Sequence, residues 1–157
     1  MNRRYVKERR QTADRSNDSG SALAEFAIVS TAAIILILGI IDFGAALYTY
    51  HLVSNGARLG TRYAIVRGSS CTAAGCPATS ATIQAYVRAQ APGIDPNAMS
   101  VTTTWPSNVG CSSVAAAYNG PGCIVSVQVQ YPFRLVIPFM PSLALQMTST
   151  SQMVIAQ

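Results

Sequence analysis

Groups capable of acid–base chemistry are scarce in this sequence. One histidine, His51, and six carboxylates serve 157 residues, and charged side chains make up only 11% of the chain. Glu8, Asp14 and Asp18 fall before residue 20, and beyond residue 42 the only carboxylate is Asp95. No Ser-His-Asp set and no pair of carboxylates can be assembled, so triad and general acid–base catalysis lack their parts. The expectation is a protein that is not an enzyme and needs neither nucleotide nor metal. Asp95-Pro96-Asn97 reads as turn chemistry. The single tryptophan, Trp105, reads as core rather than as a ligand platform, and His51 as a solvated residue on a helix.

Half of the residues are hydrophobic, which with so few charges departs from an ordinary soluble domain towards a membrane-associated one. The charges are also segregated. Six of the eleven basic residues, Arg3, Arg4, Lys7, Arg9, Arg10 and Arg15, precede residue 20 and are mixed with acids, which marks a solvated tail. A nucleic-acid arm is the other use of such a cluster, but the interspersed acids and the adjoining apolar run favour a topology signal, so no nucleic-acid partner is expected. Basic residues beside a span stay cytoplasmic, which places the remainder outside the inner membrane.

The run SALAEFAIVSTAAIILILGII, residues 21–41, contains one charge, Glu25. As a helix it rises about 30 Å, the thickness of a hydrocarbon core. A cleaved secretory signal competes, because Gly44-Ala45-Ala46 resembles a small-residue cleavage site. The run exceeds a signal core in length, and no proline interrupts the helix before that site. Glu25 costs on the order of 2.5 to 3.5 kcal/mol at a bilayer centre unless it is partnered or near an interface. A turn into the helix it can instead be hydrated by headgroups and favoured by the helix dipole. Composition leaves both readings standing.

Beyond Asp42, the residues Phe43, Leu47, Tyr50, Val53, Ala57 and Ala64 recur at mostly three- and four-residue steps, with Asn55, Arg58 and Arg62 on another face. This predicts an amphipathic continuation over 42–67, making one helix of order 70 Å at 1.5 Å per residue. Gly44, Gly56 and Gly60 each weaken it by about 1 kcal/mol, while small residues also let a neighbour approach closely. Arg58 and Arg62, a turn apart, read as a solvated face or as a grip on phosphate or a partner's carboxylate.

Four cysteines, Cys71, Cys76, Cys111 and Cys123, fall in the part placed outside the membrane, where an even count reads as a disulfide framework. The short loops they close favour Cys71 with Cys76 and Cys111 with Cys123. Zinc is disfavoured, because neither pair has ribbon spacing and His51 is remote. Ser80 is placed to cap a helix over 81–91, with Ile83, Val87 and Ala91 on one face and Pro92-Gly93 ending it. Residues 100–105 and 124–131 read as strands, the second alternating Val125, Val127 and Val129 with polar residues. The three prolines of 132–141 break any helix and leave apolar residues to cover the core or meet a partner. Residues 143–155 read as a last strand or hairpin. The fold class is α+β: a long N-terminal transmembrane and stalk helix packed on a small antiparallel β-sheet head over 68–157.

Gly20-Ser21-Ala22-Leu23-Ala24-Glu25-Phe26, the apolar run after it, Ile41-Asp42-Phe43-Gly44, and Asn55-Gly56-Ala57-Arg58-Leu59-Gly60-Thr61-Arg62-Tyr63-Ala64 resemble the TadE-like minor pseudopilins of tight-adherence (Flp) pilus systems. Val125, Val127 and Val129 leading into Tyr131-Pro132-Phe133 resemble a later strand-and-proline segment of that family. The resemblance implies a pilin-like fold and a prepilin peptidase site between Gly20 and Ser21, leaving Glu25 and Phe26 as the fifth and sixth residues of the mature chain. It further implies that Glu25 pairs with the freed amino terminus of an adjacent subunit, with other pilins, pseudopilins and the assembly machinery as partners. Major Flp pilins are very short and carry Glu-Tyr, so Glu25-Phe26 and a large head point to a minor subunit. The expectation is a protein that initiates, primes or caps a pilus. The alternative is a signal-anchored envelope binding module that joins no filament.

Overall fold

The computed structural model describes the backbone of residues 3–106, 119–135 and 144–156, with side chains from residue 20 onward. Five elements follow in order: α1 (Arg3–Ile65), α2 (Ser80–Ala89), β1 (Ser100–Thr104), β2 (Ile124–Arg134) and β3 (Ala144–Val154). A long N-terminal apolar helix and a three-stranded antiparallel sheet make this an α+β protein. The chain divides into two compact units, Met1–Asp42 and Phe43–Gln157.

The first unit is the N-terminal part of α1. Its Leu, Ala and Ile content favours a helix, and no proline interrupts it. Leu23, Phe26, Ile28, Val29, Ile34, Ile37, Ile40 and Ile41 are all exposed, Phe26 at 71%. The hydroxyls of Ser30 and Thr31 both donate to the Ala27 carbonyl, at 3.1 and 2.7 Å. Back-bonding of this kind satisfies polar side chains within the helix itself, as a lipid environment requires.

In the second unit the rest of α1 buries Thr49, Val53, Gly56, Ala57, Gly60, Thr61 and Ala64. The steps of three and four residues define one helical face. This face differs from the expected one: Val53, Ala57 and Ala64 belong to it, whereas Phe43, Leu47 and Tyr50 are exposed. The reason is distance. Small side chains bring the helix axis close to its neighbours, and a Cβ built on Gly60 would lie 2.9 Å from Val87 Cγ2 and 3.0 Å from Val127 Cγ1. Both contacts are closer than packed carbon atoms tolerate.

Thr79, one residue earlier than the expected Ser80, caps α2 in a reciprocal capping box with Thr82. Ile83 and Val87 turn inward from α2, and Ala91 beyond its end is buried with them. On the sheet, β2 lies between its two partners, pairing Val129 with Val101 on β1 and with Ser149 on β3. Val101, Val125, Val127 and Val129 complete the core, and Trp105 packs against it partly buried. β2 runs on through Pro132 to Arg134, further than the expected end at Tyr131. β1 pairs only as far as Gln130, so the proline falls where β2 has a single neighbour and a missing N–H costs least. Residues 143–155 supply one strand, not a hairpin. The chain end is tied back by Ile155 N–H donating to Cys123 O at 2.8 Å and Ala156 N–H to Ile65 O at 3.1 Å. Most of the expected proline-rich cover, 136–141, and Cys111 lie outside the described residues.

Candidate functional site

Three arrangements carry the chemistry of this chain. Gly20, Ser21, Glu25 and Phe26 all lie exposed on α1. Ser30 and Thr31 are bonded to their own backbone, and Glu25, the one charge of the apolar run, has no side-chain partner among the described residues. The surrounding apolar surface makes α1 long and apolar enough to cross a membrane.

The second arrangement is the seat of α1 in the head. Gly56 and Gly60, a turn apart, let α2 and the sheet reach the helix backbone: Val87 Cγ1 and Val129 Cγ2 would stand 3.2 and 4.0 Å from a Cβ on Gly56. Gly44 meets nothing within 4 Å. The Tyr63 and Tyr86 rings stack at 4.4 Å, joining α1 to α2, and the Arg67 guanidinium caps the stack 4.0 Å from the Tyr63 centroid. Such contacts contribute about 0.5 to 1.5 kcal/mol each. Sequence reasoning missed this stack, although Arg67 follows Tyr63 by four residues, just past the end of α1, and that spacing was a usable signal.

The third arrangement is surface. Arg58 and Arg62 are exposed on α1. Arg58 shares a shallow depression of about 370 Å³ with His51, Tyr48 and Asn55, and Arg62 does not line it. A larger cleft, about 590 Å³, lies between Tyr48 and Thr49 of α1, the Gly93–Asp95 turn and Tyr131–Arg134 of β2. Tyr48 O–H donates to Pro92 O at 3.2 Å across one wall, and Asp95 Oδ1 accepts from Asn97 N–H at 2.9 Å, which is the expected turn chemistry. Cys71 and Cys76 form a disulfide, which occupies both thiols. Cys123 is also disulfide-bonded, and the partner expected for it, Cys111, lies outside the described residues.

The exposed apolar run, its glutamate and the glycine seat are consecutive on one helix, and that stretch answers to a known sequence family. Residues 20–62 resemble it. They match the sequence model of the TadE-like protein family from the glycine before the apolar run to Arg62. The matched segment therefore contains Gly20, Glu25 and both seat glycines, whereas the strand-and-proline stretch at Val125–Phe133 lies beyond it. No curated protein and no solved structure matches the chain.

Proposed function

We propose that this chain is a minor pseudopilin-type subunit of a tight-adherence pilus or a related secretion apparatus, acting by assembly and not by catalysis. The observation that carries this reading is Glu25, an exposed carboxylate and the one charge of the apolar run, inside the segment that matches the TadE-like family. A carboxylate placed in a bilayer is stabilised by a cation brought by another chain, and the amino terminus freed by cleavage between Gly20 and Ser21 is such a cation. In this reading the basic tail stays cytoplasmic until a prepilin peptidase removes it, the helix crosses the inner membrane once, and the head lies outside. The exposed Phe43, Leu47 and Tyr50 then meet neighbouring helices, and the subunit initiates, primes or caps the pilus with other pilins and the assembly machinery. Arg58 and Arg62 offer cationic contacts to those partners.

The test is extraction from the membrane. The wild-type protein co-purifies with other pilus components, begins at Ser21 by N-terminal sequencing, and loses its assembly role as Glu25→Ala. Normal piliation in cells carrying Glu25→Ala sinks the role assigned to that residue. The cleft between Tyr48, Asp95 and Arg134 favours a second reading, an anchored binding module outside any filament. Membrane extraction free of pilus components supports that second reading.

A further inference from the structure

The two edges of the sheet are unequal. At β1, only five residues long, α2 packs against the strand, and the Arg88 guanidinium donates to the Met99 carbonyl just before it through Nε at 3.2 Å and Nη2 at 2.8 Å. Among the described residues, no backbone group beyond β2 bonds to Ala144–Val154. β3 is eleven residues long, ALQMTSTSQMV, with no charge, proline or glycine, and every side chain on it is exposed or half-exposed. Natural edge strands are blunted by charge, proline, bulges or a covering element, and a long unblunted edge is a template for another strand.

The sequence of β3 indicates which strand. Reversed against itself about Ser149, it matches Ala144 with Val154, Leu145 with Met153, Gln146 with Gln152, Met147 with Ser151 and Thr148 with Thr150. Apolar ends meet apolar ends, amide meets amide and Thr148 meets Thr150, the kinds of pair that stabilise neighbouring antiparallel strands, and Met147 against Ser151 is the one mixed pair. The exposed Leu145 and Val154, at 42% and 58%, thereby gain apolar partners. Residues 43–157 carry five arginines against Asp95, a net positive charge that two copies share, and β3 itself carries no charge.

We propose that β3 is an interaction edge for a second copy of this chain, pairing antiparallel with the partner's β3 about a two-fold axis at Ser149. The six strands then form one sheet, and odd-numbered residues of both copies share a face, because a symmetric pairing about an odd residue opposes odd with odd.

The experiment uses the full chain in detergent, with single cysteines added at Ser149 and, separately, at Thr148, under oxidising conditions. Opposed residues in an antiparallel pair have Cα atoms about 4.5 to 5.5 Å apart, within disulfide range. Thr148 faces Thr150 of the other copy, and its own counterpart lies two residues further along, beyond the limit of about 7 Å. Ser149→Cys is expected to give a disulfide-linked dimer in large excess over Thr148→Cys. Ser149→Lys, which opposes two ammonium groups, is expected to reduce the mass measured by light scattering from dimer to monomer, with the circular dichroism of the head retained. Equal cross-linking at the two positions, or a wild-type protein that stays monomeric, overturns the proposal. So does cross-linking of Ser149→Cys in cells to a different envelope protein.

Discussion

Gly60 of α1 and Val87 of α2 are packed so closely that a Cβ on the glycine would stand 2.9 Å from Val87 Cγ2. The α1 backbone is in effect one wall of the core. Val127 closes on the same point from the sheet, so three elements meet at a residue without a side chain.

Gly60→Ala is therefore expected to destabilise the head by about 1 kcal/mol, the net of overpacking at 1 to 3 kcal/mol and the better helix propensity of alanine. Gly44→Ala, with open space around it, is expected to stabilise the helix by about 0.5 to 1 kcal/mol. Thermal unfolding of the two variants in detergent, followed by near-ultraviolet circular dichroism, reads the opposite signs. Equal shifts of one sign contradict the seat described here.

The Cys71–Cys76 disulfide closes a short loop between α1 and α2. The chain-entropy relation assigns a loop of this size about 2 kcal/mol. The double variant Cys71→Ser with Cys76→Ser should lower the unfolding midpoint correspondingly. Non-reduced mass spectrometry of the mature protein reads the oxidation state of all four cysteines and cleavage after Gly20 in one measurement.

Arg88 bonds a neutral carbonyl, that of Met99, through two donors. Arg88→Leu leaves that acceptor without its partner, at about 1 to 3 kcal/mol. Because the acceptor carries no charge, the loss should change little between low and high salt. Denaturant unfolding at two ionic strengths distinguishes this from a surface ion pair, whose contribution screening reduces.

Tyr63 couples Arg67, just past the end of α1, and Tyr86 of α2. Arg67→Gln and Tyr86→Leu are each expected to cost about 0.5 to 1.5 kcal/mol. A double-mutant cycle should return a non-zero coupling, since both act through one ring. Strict additivity argues against the stack acting as a unit.

Much of this architecture was legible because its signals are local. A run of 21 residues with one charge can be read as a membrane-length helix from composition alone, and β2 from the alternation of Val125, Val127 and Val129. The disulfide between Cys71 and Cys76 follows from spacing. The buried face of α1 was not legible. Phe43, Leu47 and Tyr50 are the larger apolar residues and drew the expected stripe, yet the head packs on Gly56, Ala57, Gly60, Thr61 and Ala64. Hydropathy counts what a side chain gains on burial and ignores the separation at which two elements meet.

The sequence by itself determined where the apolar helix lies, that Glu25 is its one charge, and that an α+β head follows. Those properties depend on residue type and on neighbours a few positions away. Only the tertiary structure decided which face of α1 the head occupies, that Arg67, Tyr63 and Tyr86 stack, and that β2 lies between β1 and β3. Each of these depends on which of two remote segments approaches more closely, and strand order and helix separation are set by the packing of the whole core.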